Sequence, residues 1–175
     1  GGYTYAVGDK PHAVRSAANT NYFYDANGSL LKTTGRQTRT QTWNDFNQPD
    51  TLTYQGGRVD FIYDADYKRV KETFTTGVTT RTVYLAHPDN QGGLAYEREE
   101  TRVNGVLTRN ESRHYISVGS NVIAVVKTLN ASAVVSSDPT LTNYWHKDSL
   151  GSITAVTTAT GQVLARIFHA WVQIA

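Results

Sequence analysis

Tyr22-Phe23-Tyr24-Asp25-Ala26-Asn27-Gly28 decides the fold, because the pattern returns. Trp43-Asn44-Asp45-Phe46-Asn47 and Phe61-Ile62-Tyr63-Asp64-Ala65-Asp66 repeat the aromatic-Asx pair, and Tyr84 continues the series. Tyr24, Trp43, Tyr63 and Tyr84 thus fall on a ladder with a period of about twenty residues. A fixed period in this range marks one supersecondary unit copied in tandem. Such a unit cannot bury its apolar face alone and needs neighbours. Tyr22 and Tyr24 share one face of an extended segment, with Phe23 on the other. Asp, Asn and Gly then bend the chain, since Asn-Gly supplies positive φ and the carboxylate can accept amides two residues on. A second strand, Ser29 to Thr33, follows. In the third copy Phe61 to Tyr63 runs in, Asp64 to Lys68 turns and Arg69 to Phe74 runs out. Simple alternation there puts Val70, Glu72 and Phe74 on one face and Arg69, Lys71 and Thr73 on the other. Each copy therefore reads as a β-hairpin with one wet face.

Further hairpins carry clear turn signals. Glu97 to Val103 turns at Asn104-Gly105 into Val106 to Arg109; His114 to Val118 turns at Gly119-Ser120-Asn121 into Val122 to Val126; Ile153 to Thr157 turns through Ala159 to Gln162 into Val163 to Trp171. No window has a helical apolar stripe. Segments 86–93 and 130–142, with Pro88 and Pro139, read as surface loops.

At 175 residues the chain is one domain or part of a larger one. Eleven tyrosines make aromatic burial the main source of core. A net charge of +2, spread along strands, makes no phosphate-binding stripe, so no nucleic acid is expected. Without cysteine, disulfides, thiol catalysis and thiolate metal sites are excluded. Without methionine, even at position 1, the chain reads as processed or cut from something longer. No signal peptide and no run near the eighteen-odd apolar residues of a membrane span occurs.

Candidate chemistry is sparse. His12, His87, His114, His146 and His169 stand apart, without strong metal-ligand spacing. His146 and Asp148 are two apart and could orient an imidazole for hydrolysis, though a turn-closing hydrogen bond explains them more simply. Asp64 with Asp66, and Asp45 with Asp50, sit in turns that explain them without catalysis. Glu97, Glu99 and Glu100 beside Arg98 and Arg102 read as a solvated charged strand. Ser112 near His114 lacks a nucleophile elbow. Gly56-Gly57 and Gly92-Gly93 are not followed by the Lys-Ser or Lys-Thr of a phosphate loop. Asn27-Gly28-Ser29, Asn110-Glu111-Ser112 and Asn130-Ala131-Ser132 fit the glycosylation pattern, which is common by chance. Stacking of Tyr and Trp on sugars is a rival to their reading as repeated core positions.

The chain resembles the bacterial RHS, or YD-repeat, family, which includes the shell-forming C components of Tc toxins and has the teneurins as relatives. Pro11-His12-Ala13-Val14 is similar to the family's lead-in. Tyr24-Asp25-Ala26-Asn27-Gly28 matches Tyr-Asp-x-x-Gly, and Trp43-Asn44 opens a degenerate copy. Tyr63-Asp64 opens another, in which Tyr67 replaces the expected Gly. Tyr144-Trp145-His146-Lys147-Asp148-Ser149-Leu150-Gly151-Ser152 is similar to the RHS core signature. Phe168-His169-Ala170-Trp171 resembles the segment that follows, with Val172 where the family places Gly, and the family's aspartyl autoprotease motif does not occur.

The resemblance implies an all-β strip of tandem hairpins forming an extended, curved antiparallel sheet, part of a shell. It implies repeat hairpins over 1–85, further hairpins over 86–143 with a loop at 130–142, and a core-signature segment over 144–175. Tyr24, Asp25, Gly28, Trp43, Asn44, Tyr63, Asp64, Tyr144, His146, Asp148, Leu150, Gly151 and Ser152 are then structural motif residues, with no catalytic, metal or cofactor site. The implied role is non-catalytic: a shell fragment that encapsulates or presents a C-terminal toxin, from a secreted or surface-associated bacterial protein. The implied partners are the rest of the shell and its effector. A carbohydrate-binding adhesion module and a hydrolase are the alternatives. Val122-Ile123-Ala124-Val125-Val126 is apolar on both faces, so self-association through sheet edges or apolar faces is also expected.

Overall fold

The structure, a computed structural model, describes residues 2–5, 13–87, 93–129 and 139–166. Its strands in chain order are β1 (Tyr3–Tyr5), β2 (Val14–Ala17), β3 (Thr20–Tyr24), β4 (Leu30–Gly35), β5 (Arg39–Trp43), β6 (Pro49–Tyr54), β7 (Gly57–Tyr63), β8 (Arg69–Thr76), β9 (Thr79–Ala86), β10 (Tyr96–Val103), β11 (Val106–Val118), β12 (Asn121–Leu129), β13 (Thr142–Lys147), β14 (Ile153–Thr158) and β15 (Val163–Arg166). Among the described residues there is no α-helix, and one 3-10 turn spans Pro139–Leu141. The chain is all-β.

It divides into two compact units. The first comprises Gly1–Val83 and Thr101–Val106, and the second Tyr84–Glu100 and Leu107–Ala175. In the first, β1 to β8 are hydrogen-bonded neighbours in sequence order; in the second, β12 to β15 follow the same rule. Every described pairing is antiparallel.

Two kinds of turn alternate along the first unit. Short links hold β2 to β3 at Ala18-Asn19 (φ 46° and 62°) and β6 to β7 at Gln55-Gly56. Arg36 N donates to Asn19 O at 3.0 Å, tying the β4–β5 link to the β2–β3 turn. Gly35 sits against that carbonyl: its φ is +103°, and a Cβ there would stand 2.1 Å from Asn19 O, so no side chain fits. At the other end of the strands, wider five-residue turns join β3 to β4, β5 to β6 and β7 to β8.

Each wider turn is followed by a β-bulge. Tyr24 pairs with Leu30 but Phe23 with Lys32, leaving Leu31 extra. Likewise Asp50 is extra between the Trp43–Pro49 and Thr42–Thr51 pairs, and Val70 between Tyr63–Arg69 and Ile62–Lys71. An extra residue reverses the pleat parity on one side of it. This corrects the face assignment made from simple alternation. Arg69 lies opposite Tyr63, on the face of Phe61, Glu72 and Phe74; its guanidinium is 4.8 Å from the Phe61 ring centroid and pairs with Glu72.

The expected strands Val106 to Arg109 and His114 to Val118 are one continuous strand, β11. Asn110 and Glu111 between them are polar but buried, so polarity misled the reading of a break there. Ala124 and Val125, adjacent in β12 and on opposite faces, are both buried, and β12 lies between β11 and β13. In the first unit the core is thin and lies on the aromatic face, where Val59 is buried between Leu52 and Phe74. Residues 88–92, 130–138 and 167–175 lie outside the described residues; they hold most of both expected loops and the Phe168 to Trp171 segment.

Tyr67 is the strained point of the third wide turn, with φ +61°, a conformation that costs a residue with a Cβ about 1–2 kcal/mol. Its ring meets Phe46 edge to face at 4.5 Å, a contact worth about 0.5–1.5 kcal/mol. The two terms offset. Tyr67→Asn is therefore expected to change stability little in the wild-type protein but to stabilise a Phe46→Ala background by about 0.5–1 kcal/mol. Urea unfolding of the four proteins checks this; equal effects in both backgrounds would refute the offset.

Candidate functional site

One side-chain oxygen organises each wide turn. Asp64 Oδ1 accepts the amides of Asp66 and Lys68, both at 2.9 Å. Asn44 Oδ1 accepts those of Phe46 and Gln48, both at 3.0 Å. Asp25 Oδ1 accepts Ser29 N at 2.8 Å. The backbone closes the same ring each time: Asp64 N donates to Lys68 O and Tyr67 N to Asp64 O, matched by Asn44 with Gln48 and Asn47, and by Asp25 with Ser29 and Gly28. The fourth residue has positive φ in all three, as Gly28 (90°), Asn47 (58°) and Tyr67 (61°).

The second unit repeats the device twice. Asp148 Oδ1 accepts Leu150 N and Ser152 N, both at 2.9 Å, with Gly151 at φ 85°. Thr158 Oγ1 accepts Gln162 N at 3.1 Å, with Gly161 at φ 83°. Thr154 and Leu164 are the extra residues of the bulges that follow. The RHS-like signature thus ends in the turn that the Tyr-Asp pairs open. The Thr158 turn carries no Tyr-Asp pair; its bend was expected from Ala159 to Gln162, but not the part that the Thr158 hydroxyl plays in closing it.

The aromatic before each turn in the first unit has a second task. Tyr24 OH donates to Val14 O at 3.1 Å, Trp43 Nε1 to Leu30 O at 2.8 Å, and Tyr63 OH to Pro49 O at 2.8 Å. Each acceptor belongs to the preceding hairpin. The ladder between hairpins stops short of the wide turns: β4 and β5 pair at Lys32–Thr40 and Thr33–Arg39, and β6 and β7 pair no further towards the wide turns than Thr51–Asp60. The bulge coils the trailing strand away from its neighbour. The aromatic tip then satisfies a carbonyl that the ladder has left behind.

His146 and Asp148 are not brought together as a catalytic pair. His146 Nε2 bonds Thr157 Oγ1 at 2.9 Å, and Asp148 serves its turn. Leu150, 90% exposed, projects at that turn, and Tyr144 is exposed on β13. Ser112 Oγ bonds Tyr96 OH at 2.9 Å. Among the described residues no cluster of His, Asp and Glu could hold a metal, and no helix is long and apolar enough to cross a membrane.

The charged strand is not solvated as read from sequence. Glu99 and Glu100 on β10, and Glu111 on β11, are buried. Arg113 pairs with Glu97 and, at 2.7 Å, with Glu111; Arg109 reaches Glu111 at 2.6 Å and Arg98 reaches Glu100 at 2.5 Å. Sequence could not show that Arg109 and Arg113 of β11, together with Arg98 of β10 itself, would cover these carboxylates. Burial alone would raise the Glu111 pKa, but Arg109 and Arg113 outweigh it and hold the carboxyl below its usual range. Tyr115 OH donates to Glu97 Oε2 at 3.0 Å; burial, then the Glu97 charge, push its pKa up to about 12.

No protein-family model matches the chain, and no curated protein matches its sequence significantly. Solved structures do. The chain is similar to TcdB2-TccC3-TEV (TM-score 0.55, 12% identity, over 84% of this chain and 9% of that one). It is similar to TcdB2-TccC3 without its hypervariable C-terminal region (0.54, 12%, 84% and 9%) and to TcdB2-TccC3 (0.54, 12%, 84% and 10%). The chain spans about a tenth of the length of these proteins. At that identity the likeness is one of fold: an RHS-like fold of antiparallel hairpins.

Two expectations follow. Asp64→Ala removes the one oxygen that accepts two amides and should cost about 1–2 kcal/mol, at about 0.5–1.5 per bond. Asp64→Asn keeps the oxygen, as Asn44 does, and should cost less than half as much in the same urea titration. In alkali, the folded Tyr115 holds its proton above the ordinary tyrosine pKa of about 10. Its stabilising effect is full below that value and is lost as pH rises towards about 12. Melting curves from pH 9 to 12 should therefore fall less steeply for Tyr115→Phe than for the wild type.

Proposed function

We propose that the chain is a structural segment of an RHS-type shell, part of a longer polypeptide whose hairpins enclose a C-terminal effector. The observation that carries this reading is the repeated hairpin itself. Five of the described hairpins are closed by an Asx or Thr turn, and the three of these in the first unit are each tied to the preceding hairpin by an aromatic hydrogen bond. Such units extend a sheet by addition and offer no built reaction centre. The likeness to TcdB2-TccC3, one of whose structures lacks a hypervariable C-terminal region, supports the same reading. On this reading Tyr24, Trp43 and Tyr63 join hairpins, Asp25, Asn44, Asp64 and Asp148 close them, and the partners are the remaining hairpins and the enclosed effector. Further hairpins of the shell would cover sheet edges that are otherwise open to pairing between copies.

The test is to purify the whole polypeptide that carries these residues. Electron microscopy should show a hollow particle, and limited proteolysis should spare a C-terminal segment until the particle is denatured. A solid or extended particle, with that segment cut as fast as the unfolded chain, would overturn the shell. A saturable, selective ligand on a glycan array would instead favour the adhesion reading.

A further inference from the structure

Tyr5 occupies in β1 the place that Tyr24, Trp43 and Tyr63 occupy in β3, β5 and β7. It precedes Tyr24 by the same spacing that separates Tyr24 from Trp43. Its register partner is Val14, as Leu30 partners Tyr24 and Pro49 partners Trp43. A bulge follows at once, with Arg15 extra between the Tyr5–Val14 and Thr4–Ser16 pairs. The Val14 carbonyl then accepts the next hairpin's Tyr24, as the Leu30 carbonyl accepts Trp43 and the Pro49 carbonyl accepts Tyr63. The departure is in length: the segment 6–13 separates Tyr5 from Val14, against the shorter 25–29 between Tyr24 and Leu30. The Tyr-Asp pair is absent from this copy, which hid it in the sequence.

In the other copies the aromatic donates across to the hairpin before it. The Tyr5 side chain makes no hydrogen bond among the described residues and is 54% exposed, with Tyr3 beside it on the same face at 66%. The strand edge of β1 away from β2 has no neighbour among the described strands. A donor built for a carbonyl and an unpaired edge therefore stand side by side. An open edge with two exposed tyrosines and no charged residue is also poorly protected against pairing.

We infer that this edge of β1 docks the trailing strand of one more hairpin of the same kind, joined ahead of Gly1, whose first residue after the turn gives its carbonyl to the Tyr5 hydroxyl. The phase of the aromatic ladder selects this occupant over a second copy of the chain. The inference rests on the array reading for the occupant's identity, whereas the docking geometry stands on the three observed hydrogen bonds.

The experiment supplies the occupant. Residues 20–38, which hold β3, its turn and β4, are fused directly ahead of Gly1. The added Tyr24 then stands as far ahead of Tyr5 as the native Tyr24 stands ahead of Trp43, and the added β4 stands to β1 as β4 stands to β5. Amide exchange of Tyr3 to Tyr5 should slow by about tenfold or more in the fused protein. Its melting temperature should rise by a few degrees, roughly the shift expected for a new strand pairing. Tyr5→Phe should remove part of that rise in the fused protein and leave the unfused chain unchanged. Unaltered exchange at β1, or the same effect of Tyr5→Phe with and without the added hairpin, would overturn the inference. So would a concentration-dependent dimer of the unfused chain that Tyr5→Phe abolishes, since the edge would then be taken by a second copy. A hollow particle formed by the whole polypeptide alongside a negative fusion result would leave the shell standing and remove only this docking edge.

Discussion

A single oxygen atom that accepts amides of its own turn is the constraint from which the structure is built. Oδ1 of Asp25, Asn44, Asp64 and Asp148, and Oγ1 of Thr158, each sit at the first position of a five-residue turn. The geometry needs an oxygen on a short side chain and does not need a charge, which is why Asn and Thr substitute for Asp. Holding the amides inside the turn forces the fourth residue to positive φ and puts an extra residue into the trailing strand. The bulge in turn opens a gap towards the next hairpin, and the aromatic of that hairpin closes it. Turn, bulge and aromatic bond are thus one device: each part answers an unsatisfied group that the previous part creates.

The second unit keeps the turn but changes the joint. Lys147 and Thr157 stand where the first unit has Tyr or Trp. Cohesion there comes from a different source, the buried Ala124 and Val125 of β12 and the paired carboxylates of β10 and β11. Buried ion pairs are a weak source of net stability, because desolvation offsets much of the attraction. Their geometry is specific, however. Arg113 reaches Glu97 on one strand and Glu111 on its own, which fixes how β10 and β11 register against each other.

The hairpins were legible because their turns use residues with a strong local preference. Tyr24-Asp25 with Gly28, and Asn104-Gly105, announce a bend whatever surrounds them. The hairpin led by Tyr5 lacks that chemistry and has a longer loop than the rest, and at the expected turn after Thr157 nothing marked the Thr158 hydroxyl as taking the part of Asp. The bulges escaped for another reason: an extra residue leaves no mark in the sequence beyond a broken alternation, so Arg69 was assigned to the wrong face. Burial of Glu99 and Glu100 depends on arginines that cover them in the folded sheet, a pairing that composition cannot supply. Of the candidate site, the roles of Asp25, Asp64 and Asp148 in closing turns could be read in advance, whereas that of Asn44 and the hydrogen bonds of Tyr24, Trp43 and Tyr63 to the preceding hairpin could not.

Pairing of each strand with its sequence neighbours also bears on how the chain reaches its fold. Sheet proteins are usually slow folders, because distant segments must meet before any contact is made. Here the strands of each unit find their partners a few residues away, so the loop closed at each step is short and its entropic cost small. A hairpin can form within microseconds once its turn is made. Each turn can therefore act as a separate nucleus, and the sheet can grow outward from it as the polypeptide leaves the ribosome, before later segments exist.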